Sequence, residues 1–181
     1  GKLLVEYGGY VAGVGAVAKG SARFAAGQVK KFAVPSIATV NQSTTGIKWG
    51  QGISQQGMPW ENYVGTQLPA DARLPKNFKT FDYYNPISRT AISVKTLDTT
   101  TAGRVANPRQ IYNSLKGNVD AVAKFKEYSL SGEQLKPSMI ASREIQLAVP
   151  ALTNKTQWTE INRVIEYGKS QGVKVAVTQV K

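Results

Sequence analysis

The stretch FDYYNPISRTAISVKTLD, residues 81–98, decides how this chain is read. Aromatic and β-branched residues on both sides of a Pro-Ile-Ser-Arg break describe two strands joined by a turn at Pro86–Arg89. A turn centred between Ile87 and Ser88 sets Asp82 directly opposite Ser93, with their β-carbons about 5 Å apart. Lys95 lies two residues past Ser93 and shares its face, because side chains alternate along a strand. One acid, one hydroxyl and one ammonium thus converge on a strand pair that reads as buried. Such groups cost free energy there unless something uses them.

Composition limits what that use can be. The 181 residues allow one well-packed domain with an appendage. Lys and Arg number 23 against 11 Asp and Glu, a formal charge of +12, so the chain should attract polyanions, nucleic acid first among them. Cysteine and histidine are both absent. Disulfides, thiolate metal sites, Ser-His-Asp and Cys-His nucleophiles, HExxH zinc sites and histidine-based RNA cleavage are therefore excluded. Any chemistry must run on carboxylates, lysines, hydroxyls or a metal held by oxygen. No signal peptide is evident and the chain starts without Met, so it reads as a piece of a longer protein. Its longest apolar stretch, VAGVGAVA at 11–18, is too short to span a bilayer, and stable membrane insertion is not expected.

Residues 1–45 are dense in Gly, Ala and Val and read as a weakly helical appendage or linker, ending at the polar joint QSTTG, 42–46. After it, GMPWENYVG reads as a short helix with Pro59 near its first position and Glu61 in its first turn. LPADARLPKNF is a loop, and KTFDYYN and TAISVKTL are the two strands of the opening stretch. From 107, Ile111, Leu115, Val119, Val122 and Phe125 recur at helical spacing, interrupted by Gly117. EYSLS and GEQ suggest a hairpin, and Ile145–Val149 a strongly apolar strand. QWTEINRVIEYGKSQG is a second long helix with Thr156 as its N-cap, and VKVAVTQV a closing strand. This order describes a mixed α/β domain with a central sheet.

The spacing of Asp82, Ser93 and Lys95 resembles the active-site motif of the PD-(D/E)xK nuclease superfamily, with Ser93 in place of the usual second acid. WGQGISQQGMPWENYVG, LPKNFKTFDYYN, AISVKTLDT and the helix that follows, in that order, resemble the C-terminal toxin domain of CdiA contact-dependent growth inhibition effectors. The likeness runs from about Gly46 to Lys181 and is strongest to the metal-dependent DNase branch of enterobacteria. It implies a restriction-endonuclease-like core whose mixed central sheet is flanked by helices, plus a β-hairpin. Residues 46–181 would be the nuclease toxin domain, and 1–45 the end of the region that carries it into the cytoplasm, or a linker. The family's VENN-type boundary motif is absent, so the chain reads as beginning downstream of it.

By the same resemblance Glu61, Asp82, Ser93 and Lys95 are the active-site positions, with Glu61, Asp82 and Ser93 holding the metal and Lys95 orienting the attacking water. Zn²⁺ is the implied metal, although an all-oxygen donor set favours Mg²⁺ or Mn²⁺. The implied function is a toxin displayed on the donor-cell surface within a larger effector, delivered to the target-cell cytoplasm, cutting DNA there and neutralised by a cognate immunity protein. A tRNA-cleaving nuclease on the same fold and a non-catalytic nucleic-acid-binding domain are the alternatives. Lys48, Lys76, Lys79 and Arg89 flank the site in sequence and are the candidate phosphate contacts. The hairpin, with Tyr128, Leu130, Leu135 and Met139, is the candidate immunity-protein surface, docking by strand addition. Asp98 reads as a turn residue, Thr80 as a strand residue on the face of Asp82, and the three tryptophans as packing residues.

Overall fold

In the computed structural model, which describes residues 37–181, the chain begins with β1 (Ala38–Val40), α1 (Gln42–Thr45) and α2 (Gly57–Gly65). The strands β2 (Tyr83–Asn85) and β3 (Thr90–Thr96) follow, then the helices α3 (Ala102–Ala106) and α4 (Arg109–Lys124). A hairpin of β4 (Tyr128–Leu130) and β5 (Glu133–Leu135) leads through a short 3₁₀ turn to β6 (Ser142–Pro150), α5 (Lys155–Ser170) and β7 (Val173–Val180). The expected appendage, residues 1–45, lies outside the described residues up to position 36. At the expected joint, 42–46, stands a turn of helix closed by Gly46 at φ 75°, and the strand before it already belongs to the sheet.

The sheet has the order β1-β7-β6-β3-β2. β3, β6 and β7 run parallel, and β2 is antiparallel to β3, so the sheet is mixed as expected. Central parallel strands are covered on both faces and must be apolar on both, which is why Ile145–Val149 of β6 forms an almost continuous apolar run. On one face Tyr83, Ile92, Val94 and Ala148 pack with Ile47, Trp60 and Val64, so α2 covers this side. Alternation turns Ala91, Ser93, Ile145, Leu147 and Val175 to the opposite face, which α4 and α5 cover.

The two long helices follow from their apolar spacing. α4 buries Ile111, Leu115, Val119 and Val122, and α5 buries Trp158, Ile161, Val164 and Gly168. A clasp joins them: the Tyr167 hydroxyl donates to Asp120 Oδ1, and Lys116 Nζ donates to Asp120 Oδ2 at 2.9 Å. Three local readings are corrected. The N-cap of α5 is Asn154, not Thr156: Asn154 Oδ1 accepts the Gln157 N–H at 2.9 Å and Gln157 Oε1 accepts the Asn154 N–H at 3.0 Å, satisfying two helix-end donors at once. The helix expected from 107 starts at Arg109, because Pro108 cannot continue α3. The strand expected over KTFDYYN shortens to Tyr83–Asn85, with Thr80 outside it.

Glycine decides two close approaches differently. A β-carbon at Gly168 would stand 2.7 Å from the Val173 carbonyl oxygen and 2.9 Å from Val175 Cγ2, whereas at Gly117 it would meet nothing. Gly168→Ala should therefore lower the unfolding free energy by about 1–3 kcal/mol as α5 is pushed off β7. Gly117→Ala, in the exposed interior of α4, should raise it by about 0.5–1 kcal/mol. Urea denaturation of both variants checks the pair; a neutral Gly168→Ala would mean that α5 does not seat on β7 this closely.

Candidate active site

The opening stretch folds in the expected register. Tyr83 pairs with Ile92, Tyr84 with Ala91 and Asn85 with Thr90, and the paired ladder ends there, one residue short of Asp82. At Asp82 the ladder stops being backbone to backbone. Its N–H still donates to the Ile92 carbonyl at 2.9 Å, but the Val94 N–H is taken by the carboxylate, at 2.6 Å from Oδ2. The two strands fork there. A carboxylate that substitutes for a ladder carbonyl lies close to the plane of the sheet, within reach of groups from either face.

α2 brings Glu61 from one side, and the Tyr83 hydroxyl donates to the Glu61 carbonyl at 2.8 Å, tying the helix to β2. Gly65 permits this seating, because a β-carbon there would overlap that hydroxyl. Glu61 lies in the second turn of the helix rather than the first, with Pro59 at the third position. From the other face come Ser93 and Lys95. Ser93 is 1% exposed and its Oγ has no hydrogen-bond partner. Lys95 is half-buried and makes no ion pair with any described acid.

The electrostatics of Asp82 reflect this crowding. Burial raises its carboxyl from 3.8 to about 6; the Val94 N–H opposes the rise, Glu61 adds to it, and Lys95 and Arg73 oppose it. Arg73 was not singled out in the sequence, where it sits in a proline-flanked loop with no periodicity to mark it. Its Nη2 donates to Glu61 Oε1 at 2.9 Å, its Nη1 to Asn62 Oδ1 at 3.0 Å, and its guanidinium lies 5.6 Å from the Tyr83 ring centre. Gln56 was missed for the same reason: its Nε2 donates to Thr96 Oγ1 at 2.9 Å and its Oε1 accepts the Gly50 N–H at 3.2 Å, fixing the approach to α2 against the end of β3.

A divalent cation suits this donor set. No group of three or more His, Cys, Asp or Glu able to hold a metal occurs among the described residues. The Asp82 carboxylate, whose cost of ionisation Glu61 adds to, and the buried Ser93 hydroxyl without a partner nonetheless offer oxygen donors of the kind hard cations prefer.

The family model for the CDI toxin restriction endonuclease-like domain matches residues 56–178, which span the fork and both covering layers of the sheet. The chain belongs to this family. It is 69% identical over 144 residues to "Deoxyribonuclease CdiA-o11" of Escherichia coli O157:H7 strain EC869, a match covering 80% of this chain and 38% of that protein. It is 58% identical over 146 residues to "Deoxyribonuclease CdiA" of Yersinia pseudotuberculosis serotype O:3 strain YPIII, covering 81% of this chain and 14% of that protein. A chain of the "CdiA-CT/CdiI toxin and immunity complex from Yersinia pseudotuberculosis" superposes with a TM-score of 0.64 at 58% identity, over 68% of this chain and 100% of that one. The chain thus spans well under half the length of the curated relatives it matches. A restriction-endonuclease-like nuclease domain implies a divalent metal.

The other residues named from this CDI toxin domain's sequence are dispersed. Lys48, Lys76 and Lys79 are exposed. Arg89 is committed to structure: its Nε donates to the Met139 carbonyl at 3.1 Å and its Nη2 to that of Ser138 at 2.7 Å. In the hairpin Leu135 is 1% exposed, and Tyr128 packs edge-on to Phe78 with centroids 5.0 Å apart, so both anchor it. Leu130 and Met139 are half-buried. Asp98 is the turn residue expected, its Oδ1 accepting from Thr100 N–H and Oγ1 at 2.9 and 2.6 Å. Trp60 and Trp158 are core residues, and Trp49 packs against the core. No described helix is long and apolar enough to cross a membrane.

The raised pKa of Asp82 fixes a pH dependence of the metal-free domain. The folded chain holds this proton more tightly than the unfolded one, so the contribution to stability is full below about 3.8 and is lost as pH rises through about 6. Asp82→Asn keeps an acceptor for the Val94 N–H without the charge. In chelator it should raise the unfolding free energy at pH 7.5 by about 2–3 kcal/mol, a gain that disappears near pH 3.5. Denaturation curves at the two pH values measure it, and a gain independent of pH would show that the charge is not what strains the site.

Proposed function

We propose that this chain is the nuclease end of a contact-dependent growth inhibition toxin, a metal-dependent endonuclease that hydrolyses phosphodiester bonds in DNA. The observation that carries this reading is the fork at Asp82, where a strained carboxylate, the Glu61 carboxylate, an unpartnered buried hydroxyl and an unpaired ammonium stand together at the edge of a sheet. Relatives named as deoxyribonucleases support DNA as the substrate, and the charge of +12 suits any nucleic acid.

In this reading Glu61, Asp82 and Ser93 hold the cation, which supplies Lewis acidity at the phosphodiester when bound. Arg73 steadies Glu61 through its ion pair and keeps the carboxylate directed to the fork. Lys95, a donor with no acceptor capacity, orients the attacking water and stabilises the charge that builds on the phosphoryl oxygens. Zn²⁺ follows from the family resemblance, and Mg²⁺ or Mn²⁺ from the oxygen donors; the assay below separates them. Lys48, Lys76 and Lys79 are the remaining free candidates for phosphate contacts, since Arg89 is already occupied.

The same reading gives the domain a cognate immunity protein and a place in the target-cell cytoplasm, reached as part of a larger effector displayed on the donor-cell surface. The structural relative was solved with an immunity protein. Here the hairpin forms its own two-stranded sheet, whose strands pair only with each other among the described residues, leaving edges available for strand addition. Leu130 and Met139 are the members of the expected surface that remain partly exposed, with Tyr128 and Leu135 holding the hairpin from beneath.

Supercoiled plasmid and total tRNA, each with Zn²⁺, Mg²⁺, Mn²⁺ or chelator, test the reading. Plasmid should be cut only with a divalent cation, and Asp82→Ala and Lys95→Ala should each lower the rate by about 10²-fold or more. Cleavage confined to tRNA would move the substrate to RNA, and undiminished cutting by Asp82→Ala would refute the site.

A further inference from the structure

Next to the fork lies a cavity of about 460 Å³ lined by Lys79, Thr80, Lys124, Phe125, Lys126 and Glu127. Its three ammonium groups make no ion pair with any described acid. The acid on its wall, Glu127, has its Oε1 engaged by Gln134 Nε2 at 2.8 Å. The C-terminal end of a helix such as α4 ordinarily repels an anion through its free carbonyls. Here that end is neutralised, because Arg143 Nη1 donates to the carbonyls of Val122 and Ala123 at 2.6 and 2.7 Å.

The other wall is set by strained backbone. Thr80 has φ 72°, and the Phe81 N–H donates to the Lys79 carbonyl at 2.8 Å, closing a three-residue turn of the rare, high-energy kind with a β-branched residue at its centre. The turn takes Lys79 and Thr80 out of the strand and onto the cavity wall. Phe125, 6% exposed, is packed edge-on to Phe81 with centroids 5.0 Å apart, so its ring is not free to stack on a base. What the cavity offers is three ammonium groups against one carboxylate, with a threonine beside them, a positive balance that suits a backbone phosphate. Thr80 is two residues from Asp82, at most about 7.6 Å between Cα atoms. Successive phosphates of one strand advance about 3.4 Å along a duplex axis, so the cavity stands within a few phosphates of the fork.

We propose that this cavity is a phosphate subsite in which Lys79, Lys124 and Lys126 hold the nucleic-acid backbone beside the phosphodiester at the fork. The assignment rests on the nuclease reading above. It adds Lys124 and Lys126, from the end of α4 and the segment after it, to Lys79, the one member of this site named from sequence as a candidate phosphate contact.

Binding rather than cutting tests it. The affinity of the full chain for a fluorescent 20-base-pair duplex is measured in chelator from 50 to 200 mM salt, for the unaltered protein, for Lys124→Ala/Lys126→Ala, and for Lys174→Ala/Lys181→Ala as an equal loss of charge elsewhere. Two lost phosphate contacts should reduce the slope of log K against log salt by about 1.8 and weaken binding about tenfold or more at the low end, with the second pair close to the unaltered protein. An unchanged slope in the first pair, or an equal fall in both, would overturn the subsite. Because nothing is cut in chelator, either result is independent of the plasmid assay: cleavage with an unchanged slope removes only the subsite, whereas duplex neither bound nor cut removes the nuclease reading itself.

Discussion

One hydrogen bond, from the Val94 N–H to Asp82 Oδ2, organises the functional end of this domain. Up to Tyr83 the strands β2 and β3 satisfy each other as backbone. One residue earlier the side chain takes over an amide that a carbonyl would otherwise accept, and the chain before it is released to turn away. That substitution holds a carboxylate close to the plane of a sheet whose interior is otherwise apolar, and burial raises its pKa accordingly. A single buried polar group that must be satisfied thereby creates both the opening in the sheet and the charge within it.

The surroundings are arranged to make that position tolerable without neutralising it. Lys95 and Arg73 offset part of the cost, while Glu61, itself paired to Arg73, adds to it. A carboxylate held this way is poorly compensated in the protein alone and better compensated with a cation beside it. Strain of this sort concentrates at functional sites, and the positive φ of Thr80, two residues upstream, belongs to the same region. The apolar layers supply the rigidity that such strain requires: Trp60, Ile92 and Val94 on one face, and the Gly168 seat of α5 on β7 on the other.

The family likeness covers residues 56–178, which contain α2, the fork and the parallel core, the elements that carry Glu61, Asp82, Ser93 and Lys95. Ser93 in β3 has its oxygen buried and unpartnered in a domain where most buried polar atoms are satisfied.

The amino-acid sequence by itself determined what is local. The register of Tyr83–Asn85 against Thr90–Ile92 follows from a turn flanked by alternating residues, the buried faces of α4 and α5 from their apolar spacing, and the exclusion of thiol and imidazole chemistry from composition. The tertiary structure alone decided what depends on residues far apart in the chain. Arg73 finds Glu61, Lys124 and Lys126 come beside Lys79, and Arg89 is consumed by the carbonyls of Ser138 and Met139; none of these leaves a periodic trace, because each involves basic residues in loops or at an element end. Local periodicity records which face of a segment avoids water, and long-range polar pairing depends on where the packed layers bring the loops.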